Sequence, residues 1–96
     1  MADKRNETDS IGSIEVANQA LWGAQTQRSL EHFSIGNNIM PYAIVRAYSI
    51  IKEAAAIVNQ KSTLITTSQR DAIVEACQAI RNDTLKEHFP LHVWQT

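Results

Sequence analysis

The stretch that most restricts the fold is MPYAIVRAYSIIKEAAAIVN, residues 40–59. Ile44, Tyr48, Ile51, Ala55 and Val58 recur at spacings of four, three, four and three, which places them in one apolar stripe along four helical turns. Arg46, Lys52, Glu53 and Asn59 fall off that stripe, so it is expected to be the buried face. Pro41 suits a first helical turn, where its missing N–H would have no partner anyway. The run Ala54 to Ala56 carries little bulk and would let a second helix approach closely.

That second helix has its own start signal. In TTSQ, Thr66 can accept from free amides and Gln69 can reach back to it, the spacing of a capping box. Ile73, Cys77 and Ile80, flanked by Ala76, form the expected inward face of a helix running to about Arg81. With the polar turn from Gln60 to Ile65 between them, the two helices read as an antiparallel hairpin. Upstream, Ala24 to Phe33 lacks Gly and Pro and predicts a shorter helix that ends at the loop Ser34 to Asn38. SIGSIEVA mixes apolar and polar residues around Gly12 and reads as a short strand or hairpin. The expected fold is therefore mainly α: a small domain with a helical hairpin and a short β element near residues 10–16. Residues 1–8 are expected to be a disordered arm, and 1–96 a single domain.

Composition removes several function classes. A chain of 96 residues hides only roughly 60 to 70% of its unfolded surface, enough for a small core and not for a large enzyme cleft. A net charge of -1 without a basic stripe gives no footprint for nucleic acid or an anionic membrane. No apolar run approaches the roughly 18 residues of a membrane span, and the mixed-charge start MADKRNETDS is not a secretory leader. With Cys77 as its single cysteine, the chain can form no internal disulfide, and the cytoplasm is the expected compartment.

Candidate chemistry is sparse. Gly12, Gly23 and Gly36 make no phosphate-cradling loop. His88 and His92 are four apart, but Pro90 between them removes the helical geometry that would aim both at one metal. Cys77 shares a stripe with Ile73 and Ile80, so core filling is the better reading than nucleophile. Glu31 and His32 are adjacent and point about 100° apart on a helix, as two surface side chains do. Tyr48, Trp22 and Trp94 are expected in the core because aromatics dominate buried area. No complete catalytic set is present.

Four stretches, ETDSIGSIEV, ALWGAQTQRSLEHF, MP…K-EAAAIVN and HFPLHVWQT, in this order and at these separations, closely resemble the N-terminal segment of class II fumarate hydratases. The resemblance runs from about Glu7 to Thr96. The sister family, aspartate ammonia-lyases, shares the layout but differs around Trp22, Gln25, Gln27, Trp94 and Thr96, which follow the fumarase pattern. Ala17 departs from it, standing where the family usually has proline after IEV.

The resemblance implies a soluble homotetrameric lyase, much longer than this chain, that needs no metal or other cofactor. It would interconvert fumarate and L-malate by reversible addition of water. The serine base and assisting histidine of that family lie downstream of Thr96. So does a Gly-Ser-Gly-Thr segment that grips a substrate carboxylate. Only Thr96 carries over, as a substrate-binding hydroxyl at the edge of the pocket, with Trp94 and Gln95 supporting it. The expectation is thus the N-terminal domain of a fumarate hydratase, without its helical-bundle and C-terminal domains and inactive alone. The alternatives are a stand-alone helical module that binds a partner through the apolar stripe, and the N-terminal domain of an aspartate ammonia-lyase.

Overall fold

The computed structural model describes residues 3–93. The described residues fall into two compact units, residues 3–40 with 87–93, and residues 41–86.

The first unit is built on an antiparallel hairpin, β1 (Lys4–Thr8) and β2 (Ser13–Ala17), followed by helix α1 (Ala24–His32). Lys4 pairs with Ala17 and Thr8 with Ser13, and Asp9 and Gly12 exchange both backbone bonds, so Ser10 and Ile11 form a two-residue tip. The Asp9 carboxylate accepts the amides of Ile11 and Gly12, and Gly12 sits at φ +141, a backbone that side chains with a Cβ avoid. The core of this unit is small: Val16, Ala20 and Ala24 are buried, with α1 packed on β2. A second, shorter pairing ties the far end of the chain to this unit. Ile39 bridges His92, Met40 N–H donates to the Leu91 carbonyl, and Val93 N–H donates to the Asn38 carbonyl.

β1 replaces the expected arm at residues 4–8 and extends the expected β element beyond 10–16; residues 1 and 2 of that arm lie outside the described residues. KRNET contains no apolar residue, so hydrophobic alternation cannot reveal it. Its order comes from Arg5, which lies opposite Val16. The Arg5 guanidinium donates to the carbonyls of Ala17 (2.8 Å), Asn18 (3.2 Å) and Trp22 (2.8 Å) and to Glu7 Oε2 (2.7 Å). One planar fork thereby gathers three carbonyls of the β2–α1 connection, a role that suits arginine and not lysine.

The second unit is a helical hairpin of α2 (Tyr42–Lys61) and α3 (Thr67–Arg81). Tyr42 bonds to Ile80, Glu53 to Arg81 and Gln60 to Arg70, so early α2 meets late α3 and the helices run antiparallel. Pro41 stands just before the first turn, extended at ψ 134, rather than inside it. The capping box is present: Thr66 Oγ1 accepts from Gln69 N–H, and the Gln69 side chain accepts from Thr66 N–H. α2 ends in a Schellman motif, with Leu64 N–H on the Asn59 carbonyl (2.8 Å) and Thr63 N–H on the Gln60 carbonyl (3.0 Å). Thr63 takes the left-handed position at φ +60 where glycine is usual.

The inward face of α2 is not the expected one. Ser49 and Ala56 are 2% and 3% exposed, whereas Ile44, Tyr48, Ile51 and Val58 are 43% to 61% exposed. Tyr42, Val45, Ser49, Glu53, Ala56 and Gln60 form the seam, a stripe of the same period rotated around the helix. On α3, Cys77 is buried as expected and Ile80 half-buried, but Ile73 and Ala76 are exposed. Small residues set the helix approach and polar pairs fill its flanks. Arg81 donates to Glu53 Oε1 (2.8 Å) and reaches Ser49 Oγ (3.5 Å), while Ser49 Oγ donates to the Arg46 carbonyl (2.6 Å). Burial raises the Tyr42 hydroxyl above its ordinary pKa, and the Asp83 charge adds to that.

Candidate functional site

Thr96, the substrate-binding residue that the resemblance implies, lies outside the described residues, as do its expected supports Trp94 and Gln95. The described part of the first unit shows instead what the LWGAQTQRSLEHF stretch does physically. Trp22 Nε1–H donates to Gln27 Oε1 (2.9 Å), and Gln27 Nε2–H donates to Glu31 Oε2 (2.9 Å). Trp22 is only half-buried, its ring 6.4 Å from that of His88. His88 Nδ1 accepts from Leu21 N–H (3.2 Å), which puts the ring proton on Nε2, facing Glu87 Oε1 at 3.5 Å. Glu31 and His32 do not act together: Glu31 is held by Gln27, and the His32 ring stands edge-on to Phe33.

Arg28 closes α1 onto the hairpin tip. Its guanidinium takes both carboxylate oxygens of Asp9, at 3.1 and 2.9 Å, and also donates to the Gly12 carbonyl (3.2 Å). The Asp9 side chain is 7% exposed. Its bonds from Arg28 hold the carboxyl below the ordinary carboxylate value; desolvation opposes them, and the Ile11 and Gly12 amides reinforce them. Sequence reasoning missed this pair because nineteen residues separate its members and neither lies in a pattern of period two or 3.6.

Beside the pair opens a cleft of about 390 Å³, lined by Asp9, Ser10, Ile11, Gln25, Thr26, Arg28, Ser29, His32, Phe33 and Leu91. It presents hydroxyl, amide and imidazole groups around an ion pair already closed on itself. Arg28, its cation, is spent on Asp9 and Gly12, so the cleft is suited to shaping a wall rather than gripping a carboxylate. Ser29 Oγ is sealed from solvent without a hydrogen-bond partner. Among the described residues, no group of three His, Cys, Asp or Glu is placed to hold a metal ion. Cys77 is buried in the α2–α3 seam, as core filler is.

One unit is a β-hairpin locked to a short helix and the other a polar helical hairpin, and a family model described as "Lyase" matches residues 12–96. The chain belongs to this lyase family. It is 51% identical over 96 residues to the class II fumarate hydratase of Rhizobium meliloti (strain 1021), covering 100% of this chain and 21% of that protein. It is 48% identical over 92 residues to that of Prochlorococcus marinus subsp. pastoris, covering 96% and 20%. The crystal structure of class II fumarase from Schistosoma mansoni superposes with a TM-score of 0.94 at 40% identity, covering 98% of this chain and 20% of that one. The chain therefore spans about a fifth of the length of the curated relatives it matches.

Proposed function

We propose that this chain is the N-terminal domain of a class II fumarate hydratase, a cytoplasmic homotetrameric enzyme that reversibly hydrates fumarate to L-malate. The observation that supports it is the match with fumarate hydratases along the whole chain, at 51% identity in sequence and a TM-score of 0.94 in structure. That reaction needs a base to take a proton from the carbon beside a carboxylate, donors for the charge that develops, and an acid for the departing hydroxide. This chain's share is to position. Arg5 and Arg28 fix the hairpin and α1, the 38–40 and 91–93 segments pair, and the chain then runs to Thr96, whose hydroxyl contributes to the edge of the substrate site.

Alone, the chain has no hydratase activity. Loss of fumarate absorbance on adding the purified chain would contradict this. Spliced in place of the matching segment of the Rhizobium meliloti relative, it supports malate formation; an assembled but inactive chimera would count against the reading.

The apolar outer face of α2 favours, as a second reading, a helical module that binds a partner. The two separate on the same chimera, since a module unrelated to catalysis would leave it without turnover. No described helix is long and apolar enough to cross a membrane.

A further inference from the structure

His88 serves no metal, yet its ring is committed. The side chain is 13% exposed, and Nδ1 accepts the Leu21 N–H from 67 residues away in the chain. Thr96 follows eight residues later. We propose that His88 is a positioning residue: it anchors the segment that leads to Thr96 on the β2–α1 connection, and so sets the affinity for a substrate carboxylate. This rests on the fumarate hydratase role proposed above, in which the Thr96 hydroxyl meets that carboxylate.

Leu21 is a useful anchor because the backbone around it is already fixed. Arg5 gathers the carbonyls of Ala17, Asn18 and Trp22 from β1, Ala20 N–H donates to the Ala17 carbonyl (3.0 Å), and Ala20 is buried. A donor held on both sides can define where its acceptor sits. The imidazole also packs beside Trp22, with the ring centroids 6.4 Å apart and the planes tilted by 60°. The next residues of the segment pair differently. Leu91, His92 and Val93 meet 38–40, but residues 34–39 are all exposed. Backbone bonds to such a loop restrain the segment less than a bond to the frame that Arg5 pins.

The contact needs an acceptor at the Nδ1 position. Asparagine places its amide oxygen there, bonded to Cγ as Nδ1 is. Glutamine places its oxygen one bond further out, near Nε2, which faces Glu87 and not Leu21. The two amides are alike in polarity and differ in where the acceptor stands, so a histidine kept only for bulk or for its contact with Trp22 would be replaced equally badly by both. The consequence for turnover has a direction. A carboxylate is held in substrate and transition state alike, so displacing Thr96 removes uniform binding, which raises KM and leaves kcat in place. One hydrogen bond sets the size of the rise, roughly two- to tenfold.

His88→Asn and His88→Gln are made in the full 96-residue chain and in its chimera with the Rhizobium meliloti enzyme. In the chain, amide hydrogen exchange read by NMR should find Leu21 N–H protected in the parent and in His88→Asn and unprotected in His88→Gln, with the amides of β1, β2 and α1 unchanged. In the chimera, His88→Gln should raise KM for fumarate roughly two- to tenfold with kcat within about twofold, and His88→Asn should stay near the parent. Leu21 exchange that is equally fast in all three chains would overturn the proposal. So would an equal rise of KM in both variants, which assigns the effect to ring packing, or a fall in kcat at unchanged KM. An inactive parent chimera would overturn the fumarate hydratase role and the affinity claim with it, whereas an active one whose KM does not move in His88→Gln would overturn the claim for His88 alone.

Discussion

Neighbouring alanines on α2 should respond to the same substitution in opposite ways. Ala56 is 3% exposed in the seam against α3, and Ala55, one residue and about 100° around the helix, faces solvent. Ala56→Leu drives three further carbons into a closed part of the α2–α3 seam, and over-packing of this kind costs about 1–3 kcal/mol. Ala55→Leu adds the same carbons to the exposed stripe, where substitutions typically stay within about 0.5 kcal/mol. Alanine and leucine are close in helix propensity, so the local term nearly cancels between the variants. The difference should appear as a lowered midpoint in urea for Ala56→Leu, followed by circular dichroism at a concentration where the chain is monomeric. It should also lower the melting temperature by about 4–8 °C for each kcal/mol. Equal losses, or a larger loss at Ala55, would refute the seam and restore the stripe Ile44 to Val58 as the inward face.

Three further effects follow from single contacts. Thr63→Gly should stabilise the hairpin by about 0.5–1 kcal/mol, because it relieves a β-branched residue in the left-handed region where the penalty is about 1–2 kcal/mol, offset in part by glycine's greater unfolded freedom; thermal unfolding measures it, and a loss would mean that the Thr63 Oγ1 bond to the Ser62 carbonyl outweighs the backbone term. Asp9 has a lowered pKa, so its pairing with Arg28 is fully present above the ordinary value of 3.8 and is lost as pH falls through the lower folded value. Acid titration of the Ile11 and Gly12 amide resonances should show this, with the transition absent in Asp9→Asn; a transition above pH 3.8 would contradict the sign. Tyr42→Phe removes the bond to the Ile80 carbonyl and should cost about 1 kcal/mol. In the parent chain the raised Tyr42 value makes stability fall as pH rises past 10.0, and Tyr42→Phe should flatten that slope in denaturation at alkaline pH.

The helices were legible because their ends carry local chemistry: Thr66 and Gln69 mark the start of α3, and Arg81 its last residue. Which face of α2 turns inward was not, for a physical reason. Periodicity measures how apolar a stripe is, and α2 has its larger apolar residues on the outside, while the seam is held by Ser49, Ala56 and the Glu53–Arg81 ion pair. β1 escaped notice because Arg5 orders it through carbonyls brought near only by the fold. Motif wording pointed to the family where residue chemistry could not, since Trp22, Gln27, Arg28 and Glu31 serve as structural bonds and not as reactive groups.

The proposed role of this chain as the first domain of a fumarate hydratase meets its sharpest test in the initial rate of malate formation by the chimera that carries it in place of the matching fifth of the Rhizobium meliloti enzyme. The predicted result is a tetramer whose rate lies within about tenfold of the parent, the loss expected when packing rather than chemistry changes by about 1.4 kcal/mol. A tetramer with native circular dichroism and no malate formation would contradict it.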